Sequence, residues 1–208
     1  MVSLRIRITV LCLFGGLFLS AQDTIRTQYP NTQQAWEKIF IAGQKVAENI
    51  YHKNGTPWMT FQYKENKTEK YKWFHDNGNP FFEATNVEGK FQGSYRVWYE
   101  NGQLAEQINF VDHLENGRAT FFYPNGQLAM SGQYVMGKMT DGWQFFGQDG
   151  SAADGDWQWQ FAALPKFIRM SGSLNNGVPI GTWTYRTTAT PKNGKQEELY
   201  WNYTSPRK

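Results

Sequence analysis

The chain is poor in the groups from which catalytic and metal sites are built. It has one cysteine, Cys12, and three histidines, His52, His75 and His113, in 208 residues. That excludes an internal disulfide and the Cys₄ or Cys₂His₂ zinc sites, and no histidine pair has the spacing of an HExxH helix. Asp154-Gly155-Asp156 lacks the further oxygen ligands of a calcium loop. No serine sits in a nucleophile elbow, and no glycine-rich loop opens a helix to cradle phosphate. The sequence thus predicts no catalytic residue, no cofactor and no metal site.

Charge of one sign is also scarce. Lysine and arginine total 21 against 18 acidic residues, and two of the basic residues, Arg5 and Arg7, lie at the amino terminus. Without that terminus the balance is near neutral, and no Lys/Arg cluster or basic amphipathic helix is visible, so nucleic acid and anionic membrane surfaces are disfavoured as partners. The one long apolar run, Ile8 to Leu19, is shorter than the ~20 residues a bilayer-crossing helix needs, and Gly15-Gly16 interrupt it. With Arg5 and Arg7 before it and Ser20-Ala21 after it, the run reads as a signal peptide over 1–21 cut near Ala21. Val10-Leu11 ahead of Cys12 do not form a lipoprotein box. The sequence therefore predicts an exported protein, periplasmic or secreted, with no transmembrane segment after cleavage.

What the chain has in quantity is aromatic residues, 17%, and 20 glycines. Much of both is periodic. Asn-Gly or Asp-Gly recurs at Asn54-Gly55, Asn77-Gly78, Asn101-Gly102, Asn125-Gly126 and Asp149-Gly150, in steps of 23, 24, 24 and 24 residues. Tyr99-Glu100-Asn101-Gly102-Gln103-Leu104-Ala105 returns almost unchanged as Tyr123-Pro124-Asn125-Gly126-Gln127-Leu128-Ala129. Asn-Gly between apolar runs is the strongest short-range hairpin signal, and a fixed period marks a repeat protein. The expectation is an all-β chain of tandem antiparallel hairpins.

A two-residue turn at Asn101-Gly102 predicts that Tyr99 pairs with Leu104 and Trp98 with Ala105. Tyr95, Val97, Tyr99 and Leu104 then share one face, and a column of Phe74, Trp98, Phe122 and Phe146 lies on the other, facing small residues and acting as core. Gly93 and Gly117, nine residues before the turn glycines, suggest a second tight reversal between hairpins. The equivalent stretch further on is Asp141-Gly142-Trp143. After Asp149-Gly150 the period breaks, with about 16 extra residues near 154–169, and resumes at Gly177-x-x-x-Gly181-x-Trp183-x-Tyr185.

The amino-terminal part of the repeat region is less regular. An Asn31 or Thr32 cap and a Gly43 stop predict a short helix over 33–40, with an edge strand over Lys38 to Ile41 as the alternative. The domain reading is a linker or capping segment at 22–44, a repeat domain at 45–203 with the insertion, and a frayed tail at 204–208.

Gly89-Lys90-x-x-Gly93-x-Tyr95-x-x-Trp98-Tyr99-x-Asn101-Gly102-Gln103-Leu104 resembles the bacterial variant of the MORN repeat almost position for position. The resemblance covers about residues 45–185. It implies an elongated, single-layer run of hairpins without enzymatic activity, and some relatives are labelled antitoxins of toxin–antitoxin pairs.

Two partner classes follow for the exported module. One is a protein or peptide, in a scaffold, antitoxin-like or immunity-like role, because repetition without catalytic groups builds extended surface. The other is a glycan or envelope polymer held by Trp157, Trp159 and Phe161, which stand outside the repeat register and are expected to be exposed.

Overall fold

The computed structural model describes residues 3–8, 22–28, 33–65, 67–140, 142–161, 167–187 and 198–202. Residues 9–21 with Cys12 and Ala21, the expected cap at Asn31 or Thr32, part of the insertion, the Asn193-Gly194 loop and the tail lie outside them. Among the described residues every regular element is a strand. The chain divides into two units, Met1–Gln92 and Gly93–Lys208.

The first unit carries β1 (Ser3–Ile8), β2 (Gln22–Gln28), β3 (Gln34–Ile41), β4 (Gln44–Tyr51), β5 (Pro57–Lys64), β6 (Lys67–Phe74) and β7 (Pro80–Val87), each antiparallel to the one before it. The helix expected over 33–40 is strand β3, and the segment read as a linker or cap is made of β2 and β3. The physical reason lies in the composition: Trp36, Ile39, Phe40 and Ile41 favour a pleated surface. On both sides β3 also finds a partner, with Trp36 opposite Thr27 and Ile50. Tertiary pairing overrides the weak helical pattern.

The second unit carries β8 (Lys90–Trp98), β9 (Leu104–Val111), β10 (Leu114–Phe122), β11 (Leu128–Val135), β12 (Lys138–Met139) and β13 (Gln144–Phe145). A second sheet follows, made of β14 (Gly155–Gln160), β15 (Phe167–Asn175), β16 (Val178–Thr187) and β17 (Glu198–Asn202) in that order. Strands β12 and β13 both pair with β11, flanking a break at 140–143. The inserted residues build β14 and the approach to β15.

Hairpins turn differently at their two ends. At the Asn-Gly end the loop is three residues long. Gly102 N–H donates to Tyr99 O and Tyr99 N–H to Gln103 O, both at 2.9 Å. Gly102 has a φ of 86° while Asn101 keeps a negative φ, so the turn is type I closed by a glycine bulge. The same bond pair recurs at Gly55, Gly78, Gly126 and Gly150. Two-residue turns occupy the opposite end: at Met136-Gly137 the φ angles are 50° and 77°, and at Asn176-Gly177 they are 48° and 76°, as type I′ requires.

This corrects the expected register. Trp98 pairs with Leu104, not Ala105, and Phe122 with Leu128, not Ala129, because the longer loop shifts the count. Ala105 and Ala129 become the extra residues of β-bulges, and both are fully buried. The column Phe74, Trp98, Phe122 and Phe146 is half-buried and not core. Gly93 and Gly117 have left-handed φ, and the β9–β10 ladder skips between Glu115 and Ala119, across Gly117.

The core of the second unit is the other face. Tyr95, Val97, Ile108, Phe110, Ala119, Phe121, Met130, Tyr134, Trp143 and Phe145 are buried there. From the second sheet Trp159, Phe161, Met170, Leu174 and Trp183 are buried as well, with Phe161 5.6 Å from Phe121 and Trp183 5.1 Å from Phe145 between ring centroids. Each large buried side chain contributes roughly 1.5–3 kcal/mol of transfer free energy, which fixes this two-layer packing.

Candidate functional site

The aromatics of the insertion do not form an exposed platform. Trp157, Trp159 and Phe161 alternate along β14 onto one side, the side turned toward β10 and β13. Trp159 is 7% exposed and Phe161 5%, and Trp159 meets Phe121 at 6.4 Å and Tyr123 at 5.4 Å. Both are core residues, which corrects the expected exposure. Trp157 is half-buried, stacked on Trp159 with ring planes 5° apart and edge-on to Phe145 at 5.0 Å. Apolar area on an inserted strand is covered by folding back onto the sheet it interrupts.

Two open polar grooves lie on the solvent side of the second unit. One, of about 420 Å³, is lined by Arg118, Ser131, Gly132, Gln133, Thr140 and Gly142. The other, of about 390 Å³, is lined by Asp156, Trp157, Gln158, Ser171, Gly172, Ser173, Thr182 and Thr184. They are repeats of one feature at an offset of 40 residues, since Arg118, Ser131, Gly132 and Gln133 map onto Gln158, Ser171, Gly172 and Ser173. In the second groove Ser173 Oγ donates to Asp156 Oδ1 at 2.9 Å.

The histidines are dispersed. His52 Nε2 lies 3.4 Å from Asp76 Oδ1, and its ring is 5.7 Å from Trp58. His75 packs edge-on against Phe81 at 5.0 Å. His113 occupies the second position of a type I′ turn with φ 69°. Among the described residues no group of three His, Cys, Asp or Glu side chains could hold a metal ion.

Two carboxylic acids are buried in the second unit: Glu106 with no exposure and Glu115 with 3%. Both act on Tyr95. Burial first, then the charges of Glu106 and Glu115, push the Tyr95 phenol well above its usual range. Nothing in the alternation of β9 and β10 singled these glutamates out, because Glu106 follows bulged Ala105 and so changes face.

In the first unit the two faces differ in chemistry. Arg26, Glu37, Asn49, Thr60, Lys72 and Glu83 stand in one cross-strand row. Within it Arg26 Nη2 meets Glu37 Oε1 at 2.7 Å, and Asn49 Nδ2 donates to Glu37 Oε2 at 3.1 Å. The opposite face carries a row of Trp36, Ile50, Met59, Trp73 and Phe82. Trp73 lies 5.5 Å from Phe82 and remains 40% exposed. Trp58, 44% exposed, occupies the bulge position that Ala105 fills in the second unit. Sequence reasoning passed over both tryptophans. The signal was present as tryptophan where other repeats have alanine.

No curated protein matches the chain. Residues 91–112 and 115–136 each match the model of the MORN repeat variant, and these stretches coincide with the hairpins β8–β9 and β10–β11 closed by Asn101-Gly102 and Asn125-Gly126.

Proposed function

We propose that the chain is an exported, non-catalytic repeat module that binds a protein or peptide partner. The supporting observation is the first unit's aromatic row, Trp36 to Phe82, which leaves Trp73 40% exposed on a sheet whose other face is a charged ladder. Wide apolar area rimmed by paired charge suits a protein surface, and aromatic residues dominate binding energy at such surfaces. An antitoxin-like or immunity-like role is a special case of this reading, and a toxin gene beside this one would support it. Affinity capture from the cell envelope tests the proposal: the parent protein recovers a partner that Trp73→Ala loses, at unchanged thermal stability. Failure of the parent to recover any protein would sink it.

A second reading, recognition of a glycan or envelope polymer, rests on the groove in which half-buried Trp157 meets the hydroxyls of Ser171, Ser173, Thr182 and Thr184. Aromatic surface beside hydroxyl donors and acceptors suits a sugar ring. A glycan array that stays blank removes this reading.

A further inference from the structure

We infer that, once residues 1–21 are removed, the open edge of β2 accepts an extended strand of a protein partner, in which apolar and basic residues alternate and a basic residue stands opposite Asp23. This deepens the protein-binding proposal and rests on the export reading given with it.

The argument begins with what occupies that edge in the full chain. Ser3–Ile8 pairs antiparallel with Gln22–Gln28 over six residue pairs, placing Arg5 opposite Ile25 and Arg7 opposite Asp23. On its other side β2 is paired along its whole length with β3, from Gln22–Ile41 to Gln28–Gln34. Cleavage near Ala21 leaves β3 in place and removes β1. The N–H and C=O groups that β2 turns away from β3 then lose their partners, and an unpaired edge is a template for strand addition. Nothing in β2 blunts it: Gln22-Asp23-Thr24-Ile25-Arg26-Thr27-Gln28 contains no proline.

Charge selects the occupant. Arg26 is already neutralised by Glu37, at 2.7 Å and on the strand that stays. Asp23 is the charge whose register partner leaves with the leader. A second copy of this chain fits less well. Antiparallel self-pairing that keeps the two sheet faces continuous centres on a residue and sets Ile25 against Ile25, Thr24 against Arg26 and Asp23 against Thr27, so no basic residue meets Asp23. An alternating apolar and basic segment, as in Ser3–Ile8, supplies both the ladder and the charge.

The experiment uses protein purified from the envelope of cells expressing the full gene, with intact mass reading the amino terminus. The probe is a fluorescent peptide Ser-Leu-Arg-Ile-Arg-Ile, followed by anisotropy and by amide hydrogen exchange. The expected result is a chain beginning at Gln22 that binds the peptide, with new protection confined to β2. Asp23→Lys weakens binding by about tenfold or more, and a peptide carrying Arg7→Glu recovers it on that variant. A chain retaining Met1 overturns both the export reading and this inference. A chain beginning at Gln22 whose β2 amides gain no protection from the peptide overturns the strand site alone. A dimer with β2 protected before peptide is added makes the second copy the occupant and also overturns it.

Discussion

Asn101 Nδ2 donates to the carbonyl oxygen of Pro124 at 2.8 Å, tying one hairpin turn to the turn of the next repeat. Its Oδ1 meanwhile accepts from Gln103 N–H at 3.0 Å within its own turn. Asn125 repeats the arrangement on Gln148 and Gln127, and the phenols of Tyr99 and Tyr123 run alongside, donating to Phe122 O and Phe146 O. The duplicated Tyr-x-Asn-Gly stretch is thus a clamp between repeats. At the last turn the residue is Asp149, which has no amide to donate, and its Oδ1 accepts from Ser151 N–H and Oγ.

The clamp predicts unequal responses to one substitution. Asn101→Asp removes the donor to Pro124 and sets a carboxylate against a carbonyl, a loss of about 1 kcal/mol, or a melting point lower by roughly 2–4 °C. Asn54→Asp is expected to leave stability unchanged within about 0.5 kcal/mol. At Asn54 the carboxamide oxygen accepts from Thr56 N–H and Oγ1 at 3.0 and 2.7 Å, the same geometry that Asp149 has with Ser151. Thermal melts of the two variants decide it, and equal losses would remove the clamp.

The type I′ turn at Met136-Gly137 offers a stabilising change. Met136 holds φ 50° with 67% of its surface exposed, a left-handed conformation that asparagine adopts at less cost. Met136→Asn creates the favoured Asn-Gly pair and is expected to raise stability by about 0.5–1 kcal/mol, read as a shifted denaturant midpoint at constant m-value.

The contrast between these turns shows what the sequence made legible. Period, strand number and antiparallel order followed from dipeptides such as Asn101-Gly102, because each marks a reversal. Turn type did not, since a type I turn with a glycine bulge and a type I′ turn both end on glycine in the left-handed region. That one-residue ambiguity moved Trp98 from Ala105 to Leu104 and hid the bulges that bury Ala105 and Glu106 together. The aromatics of the insertion were misplaced for another reason. Trp157 and Trp159 have no counterpart in the 24-residue period, so only the folded chain shows Trp159 meeting Phe121.

Alkaline pH should act through Tyr99. Burial first, then the charge of Glu106 and the Tyr123 phenol, push its pKa up to about 12 from the usual 10. The unfolded chain releases this proton from about pH 10, while the folded protein keeps it on the phenol that donates to Phe122 O. The stabilisation is therefore complete below pH 10 and is lost as pH rises through 12. Tyr99→Phe should weaken the decline of melting temperature between pH 10 and 12 and cost about 1 kcal/mol at pH 8. An unchanged pH profile would count against the assignment. Tyr95, buried beside Glu106 and Glu115, adds a decline in the same direction that the variant leaves in place.

The last prediction concerns Gly132 and Gly172, which carry the repeat across the insertion. A Cβ on Gly132 would stand 2.2–2.4 Å from the ring of Trp143, and one on Gly172 would stand 2.3–2.6 Å from the ring of Trp183. Both tryptophans are fully buried, so neither ring has free space to retreat into. Trp143 is held further by its Nε1–H, which donates to Gln133 O at 3.0 Å. Gly132→Ala should therefore destabilise by about 3 kcal/mol, at the upper end of overpacking costs, although alanine is otherwise the mildest replacement. Pairing it with Trp143→Leu, which vacates the ring position, should recover part of that loss in a double-mutant cycle. Additive losses in the cycle would mean that the ring and the glycine do not meet. The same cycle on Gly172 and Trp183 should give a coupling of the same sign, because the two pairs are one packing element written twice, 40 residues apart.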